Sequence, residues 1–431
     1  MSAGGTLELT RKSARLGASR VAAHDDEEGR AAAEIDDGAT LRRLKLVLAA
    51  AIICGLAVSW RLWLSSARTY PTVPLSDALP AVPFPLDYLW LAVVASLLAA
   101  AALSERPRKF VVAFLAATGL LCLWDQSRCQ PWFFQYYFML AALCFARRGD
   151  AGRPDDSAAL DACRLIVAAT YFWGGVQKIN YSFGAEMTPA LLSPYLPHLP
   201  RAFGVLPAAT AVAAPLVEVC AGAGLLMRRT RRAARLLALA TNAAALSLLV
   251  PAGANVVVWP WNAAMAAFVI VLFRRDENSS WRAILIGGGS AARVALLLLF
   301  GVMPLLSLFN LWDSYLSAAL YSGNTSRAGV YVSDSMKGRL PPRARDAVRN
   351  VGGRNLLSLL RWSDAELNVP PYPEPRVYFK LARWVCARAE SASDATLLIE
   401  GRPGLLDGAR TSTYYDCGHF NPRLSAQTPA R

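Results

Sequence analysis

The sequence predicts an all-α polytopic membrane bundle of about nine transmembrane helices, followed by a small C-terminal α/β or α+β domain outside the membrane. The 431 residues are 55% hydrophobic and only 18% charged, with mean hydropathy +0.31, a balance unlike that of a soluble enzyme. Apolar segments near the ~20 residues a helix needs to cross a bilayer recur over the first two thirds of the chain. Basic residues cluster beside those segments, so the net charge of +14 reads as membrane topology and not as a nucleic-acid footprint.

Residues 1–42 form a polar arm, basic as far as Arg20 and then acidic through Asp25, Asp26, Glu27, Glu28, Asp36 and Asp37. It has no apolar run, so it is not a signal peptide, and its polarity predicts a disordered cytoplasmic arm. The bundle is expected over 43–310, with spans at about 43–62, 87–104, 109–125, 132–147, 161–183, 208–227, 233–251, 255–273 and 283–309. Basic clusters occupy every second loop: Arg42, Arg43 and Lys45; Arg106, Arg108 and Lys109; Arg147, Arg148 and Arg153; Arg228, Arg229, Arg231 and Arg232; Arg274, Arg275 and Arg282. Those loops mark the inner side, which makes the N-terminus cytoplasmic and, with nine spans, places residues 311–431 outside. The setting that this implies is a bacterial inner membrane.

The fifth span ends Tyr171-Phe172-Trp173-Gly174-Gly175-Val176-Gln177-Lys178-Ile179-Asn180. Of the chain's lysines, Lys178 alone lies within an apolar segment. An ammonium at membrane depth costs roughly 2.5 kcal/mol or more at a helix centre, which makes it a functional-site candidate. Gly174 and Gly175, one turn earlier, leave room for a flat ligand or a neighbouring backbone. Lys178 sits only ~8 Å below the outer end of its span at 1.5 Å per residue. Its flexible stem can reach Glu218, an intramembrane carboxylate of the next span, either as a structural ion pair or as a proton partner. Gln135, Trp261, Asn262 and Asn242 add polar groups to other spans. The proline-rich outer loop containing His198 reads as a lid or a re-entrant segment.

Beyond Asn310 the composition turns soluble. Val330–Val332 and Thr396–Ile399 read as strands, and Val377, Leu381, Trp384 and Val385 stripe a helix after Pro375. Residues 367–375 read as a rigid connector on the surface. Cys386 and Cys417, the only cysteines of this region, suit a disulfide in an oxidising compartment. Phosphate-binding and dinucleotide-binding signatures are missing, and three histidines cannot furnish a haem or a multi-histidine metal centre.

The stretch 171–180 resembles the aromatic, small-residue, lysine signature of the horizontally transferred transmembrane (HTTM) domain, the membrane part of vitamin K-dependent gamma-carboxylases and their bacterial relatives. The likeness covers about residues 43–310. It implies that Lys178 is the base that starts oxidation of a reduced quinone, with a pKa lowered by desolvation and with Glu218 at its side. It further implies a substrate site drawn from Tyr171, Gly174, Gly175, Gln177, Asn180, Gln135, His198, Trp261 and Asn262, and a lyase acting on a peptide or protein outside the membrane. Its cofactor would be a vitamin K hydroquinone-like quinol, without metal or haem. The chain departs from the animal enzymes where they carry Asn-His, reading Phe134-Gln135-Tyr136, and again at Thr241-Asn242. Two other classes fit the same spans: a non-catalytic quinone-binding or assembly factor, and a small-solute transporter.

Overall fold

The computed structural model describes residues 37–144, 156–253, 255–274, 279–287 and 290–425. Of the arm expected over 1–42, residues 1–36 lie outside the described residues, as do Arg147, Arg148, Arg153 and Arg275, while 37–42 are not an unstructured arm but already helical, continuous with the first helix. The bundle is helical throughout. Helix α1 covers 37–58 and resumes at Trp60–Trp63; α2 is Leu86–Leu103, α3 Arg108–Trp124, α4 Pro131–Cys144 and α5 Asp156–Gln177. Then come α6 (Leu206–Leu226), α7 (Arg231–Leu249), α8 (Val258–Leu272) and α9 (Ala291–Leu297), the last continuing as π, α and 3-10 turns to Phe309.

By length and composition, three of these helices, not nine, can cross a membrane: Leu86–Leu103, Arg201–Leu226 and Ala291–Phe309. The shortfall has two physical causes. Helices α3 and α8 are only 17 and 15 residues long, below the ~20 that a bilayer asks for; of α4, Pro131–Cys144 lies within the described residues. In α1, α5 and α7 the apolar face is real but Arg42, Arg43 and Lys45, or Asp156, Asp161 and Arg164, or Arg231, Arg232 and Arg235, occupy the first described turns.

Helices α5 and α6 run antiparallel in close contact because glycine lets their backbones meet. A Cβ on Gly222 would lie 2.4 Å from the Phe172 amide nitrogen and 2.6 Å from the Ala168 carbonyl oxygen; one on Gly175 would lie 2.6 Å from the Pro215 carbonyl oxygen. At the end of the bundle where α5 begins, Arg164 donates to Asp161 (2.7 Å) and to the Ser279 hydroxyl (2.9 Å), while Arg231 donates to the Ser279 carbonyl (2.9 Å). Those contacts join the starts of α5 and α7 to the segment that follows α8.

The C-terminal part is α+β. Five antiparallel strands, β1 (Arg327–Val332), β2 (Val348–Val351), β3 (Arg354–Ser358), β4 (Ala395–Glu400) and β5 (Ser412–Asp416), take the order β2-β3-β1-β4-β5. Register places Val330 opposite Leu357 on one side and Leu397 on the other, all buried. Helices α10 (Leu359–Leu367) and α11 (Pro375–Cys386) cover the sheet, and Val377, Leu381 and Val385 are buried at helical spacing as the sequence predicts. Pro375 starts α11 because its missing N–H would be unpaired there anyway. The Cys386–Cys417 disulfide ties the end of α11 to the chain just after β5.

This domain is seated on the end of the bundle formed by the loops after α1, α3 and α5. Thr69 Oγ1 donates to Glu366 (2.9 Å), Lys380 pairs with Asp77 (2.8 Å), Arg376 Nε donates to Gln126 (2.7 Å) and Asn180 Nδ2 donates to the Ser322 carbonyl (2.8 Å). The 367–375 connector is not on the surface. Val369 and Tyr372 are fully buried, and the Pro370 carbonyl accepts from Gln130 (3.2 Å), because the connector is clamped between domain and bundle. Arg128, also fully buried, holds the same end together by donating to the carbonyls of Leu62, Trp63 and Leu121. Burial pushes the Asp125 carboxyl up, but the neighbouring Arg68 and Arg128 guanidiniums outweigh this and hold it below its ordinary value.

Candidate functional site

Lys178 follows the last turn of α5, and Glu218 lies at the middle of α6. Their side chains meet, Nζ to Oε2 at 2.6 Å, and each is 14% exposed. Nζ also donates to the Gly174 carbonyl (3.1 Å). Gly174 makes the meeting possible: a Cβ there would sit 3.1 Å from Glu218 Oε2 and 3.9 Å from Lys178 Nζ. The local sequence therefore builds the pair, with a glycine one turn before the lysine and a close helix crossing opposite it.

The pair forms part of the wall of a cavity of about 450 Å³ between α5, α6, α7 and α8. That is within the size range of small-molecule sites. Its lining is mostly apolar, with Ala213, Ala214, Val217, Ala244, Ala245, Leu248 and Met265 among the walls. Polar groups are few. Besides Lys178 and Glu218 they include Thr170, Thr210, Thr241, Asn242 and Asn262, with the phenols of Tyr171 and Tyr321. Tyr171 Oη accepts from Asn242 Nδ2 (2.6 Å), which fixes both side chains.

The structure brings together Lys178, Glu218, Tyr171, Gly174, Trp261 and Asn262 as cavity lining. The remaining sequence candidates lie elsewhere. Gly175 faces the α6 backbone. Gln177 is turned toward the domain side, donating to Ser307 Oγ (2.6 Å) and accepting from Asn324 (2.8 Å). Asn180 caps the turn after Lys178, donating to the Gln177 and Ser322 carbonyls and accepting from the Phe183 amide. Gln135 stands behind Trp261, whose indole N–H it accepts at 2.7 Å. His198 is exposed in the loop before α6 and does not line the cavity. That loop does contribute Phe183 and Leu191 to the cavity and is tied to the domain by the Glu186–Arg327 ion pair.

Three lining residues, Ala318, Leu320 and Tyr321, come from beyond the last helix, in the strap that leads into the domain. Ala318 (φ 58°) and Tyr321 (φ 55°) both adopt the left-handed conformation, a strain of about 1–3 kcal/mol each for non-glycine residues that the surrounding contacts must hold. Sequence reasoning missed this strap, since nothing in its composition separates it from an ordinary linker. Thr210, Ala214 and Val217 were findable, because they share one helical stripe with Glu218.

Among the described residues, no group of three or more His, Cys, Asp or Glu is placed to hold a metal ion. Compared with models of known protein families, with curated proteins and with solved structures, the chain matches none.

Proposed function

We propose that the chain is an integral membrane protein whose cavity binds a reduced quinone, with Lys178 as the base in its oxidation. The observation that carries this reading is the Lys178–Glu218 pair, 2.6 Å apart, on the wall of an otherwise apolar cavity of about 450 Å³. Such a space suits a flat, lipid-soluble ring with a polar edge. For Lys178 to accept a quinol proton, its own proton must first pass to Glu218, and the hydrogen bond between them supplies the route. The resemblance of residues 171–180 to the vitamin K-dependent carboxylase membrane domain adds the further proposal that oxidation is coupled to carboxylation of a peptide or protein outside the membrane.

In this reading the three long apolar helices, Leu86–Leu103, Arg201–Leu226 and Ala291–Phe309, anchor the bundle in the membrane. The N-terminus lies in the cytoplasm and the disulfide-bearing domain outside, where disulfides persist. A second reading has its own support. Lys178 is already engaged by Glu218 and Gly174, which fits a quinone-binding or assembly factor that performs no chemistry.

The test is turnover. Full-length protein in liposomes is given a reduced naphthoquinone under oxygen, and the oxidised product is followed chromatographically. Loss of product with Lys178→Met supports the catalytic reading. Undiminished product sinks it, and quinol binding without turnover in the wild type selects the binding factor.

A further inference from the structure

We infer that Cys122 and Cys129 form a redox-active dithiol that exchanges with low-molecular-weight disulfides in the compartment holding the C-terminal domain. The inference is independent of the quinone reading. Cys122 lies in the last turn of α3, and Cys129 follows the 3-10 turn Gln126–Arg128 that leads toward α4. They meet because the chain folds back on the helix it has just left: Arg128, immediately before Cys129, donates to the carbonyl of Leu121, immediately before Cys122, at 2.7 Å. The Cys122 thiol reaches the Cys129 sulfur in a side-chain hydrogen bond.

The turn that carries the pair also seats the domain, through the Arg376–Gln126 hydrogen bond (2.7 Å). The two thiols therefore lie at the same end of the bundle as the Cys386–Cys417 disulfide. A compartment that keeps that bond closed favours oxidation of thiols already in contact. Cys386 and Cys417 are 2% and 0% exposed, which shields their bond from exchange. Cys122 and Cys129 are each partly exposed, and accessible disulfides are the labile ones. The hydrogen bond also sets the order of attack. Donated by Cys122, it favours negative charge on the Cys129 sulfur, which makes Cys129 the nucleophile. The Cys129 thiolate attacks one sulfur of a disulfide RSSR and displaces RS⁻. Cys122 then gives up its proton, attacks the Cys129 sulfur of the mixed disulfide and displaces the second RS⁻. The two released thiolates take up the two protons that the cysteines lost, so the protein is oxidised by two electrons and one RSSR becomes two RSH.

The experiment equilibrates full-length protein in detergent at neutral pH with glutathione and glutathione disulfide, over ratios from fully reduced to fully oxidised. Samples are acid-quenched, blocked with N-ethylmaleimide and digested with trypsin without reduction. Cleavage after Arg128 separates the two cysteines, so a bridge between them shows in the mass spectrum as one linked peptide pair. That pair is expected at oxidised ratios and is expected to vanish in excess reduced glutathione, while the Cys386–Cys417 pair persists. Cys122→Ser is expected to retain glutathione on Cys129, and Cys129→Ser to retain less on Cys122. Both cysteines recovered as N-ethylmaleimide adducts at every ratio, or either one joined to a different cysteine, overturn the inference. A Cys122–Cys129 link that survives excess reduced glutathione also overturns it, since the bond would then be a fixed brace. Equal glutathione on the two single variants overturns the order of attack.

Discussion

Replacing Lys178 by Met separates what the ion pair does for folding from what it does for chemistry. The wild-type ammonium touches Glu218 Oε2 at 2.6 Å and the Gly174 carbonyl at 3.1 Å, with both charged side chains 14% exposed. At an effective dielectric of about 20, unit charges 4 Å apart attract by about 4 kcal/mol. Removing one partner of a buried pair usually costs about 3–5 kcal/mol, because the other is left without compensation. The residual exposure places the loss at about 3 kcal/mol. Changing Glu218 to Gln as well removes the stranded charge, so the double variant should recover to within about 1 kcal/mol of wild type. The assay is reversible unfolding in detergent, followed by circular dichroism. A Lys178→Met protein within 1 kcal/mol of wild type, or a double variant as damaged as the single, would refute the argument that this pair is buried and coupled. Quinol turnover in the same preparations reads the chemistry separately. Both variants should lose it by about 10²–10⁴-fold if Lys178 is the base.

Gly222→Ala should cost at least about 1–3 kcal/mol, since its methyl would meet the α5 backbone, whereas Gly204→Ala, with nothing within 4 Å, should be silent in the same melt; equal effects would contradict the close crossing. Burial raises Asp364 from 3.8 to about 6, and its Oδ1 has no partner among the described residues. Between those values the folded chain holds a proton that the unfolded chain has released, so this group favours folding at low pH and opposes it above pH 6. Asp364→Asn should therefore add about 1–2 kcal/mol at pH 7.5 and nothing at pH 4, and an unfolding profile parallel to wild type would count against it. Replacing both Cys386 and Cys417 by Ser opens a bridge of sequence separation 31 and should cost the domain about 2–4 kcal/mol; a wild-type melt unaffected by reductant would argue that the bond does not form.

Part of this architecture is legible in the sequence because one residue type violates its surroundings. A lysine in an apolar run, with a glycine one turn before it and a carboxylate in the next span, points to the Lys178–Glu218 contact without any structure. The same reasoning leaves Gly175 open between a ligand and a neighbouring backbone, because a glycine beside a lysine looks identical in either case, and only the position of Pro215 decides. Sequence periodicity also overcounts membrane spans: it registers apolar runs such as 109–125 and 255–273 without seeing where the helices begin and end. The strap is illegible for another reason. Ala318 and Tyr321 hold left-handed backbone angles that neither residue type favours, so tertiary contact alone sets them.

The route of the chain through residues 314–324 bears on how the protein can be divided. Asn310 is the natural place to cut, since the composition changes there and the last helix ends nearby. A fragment stopped at that point would keep Lys178 and Glu218 yet lose Ala318, Leu320 and Tyr321, leaving the chamber without a ceiling. It would also lose the Arg402 guanidinium, which grips the Ser307 and Trp312 carbonyls. Expression trials that trim the soluble part to obtain a tractable membrane core would thus deliver an open vessel, and a failure of that fragment to bind ligand would say nothing about the intact chain.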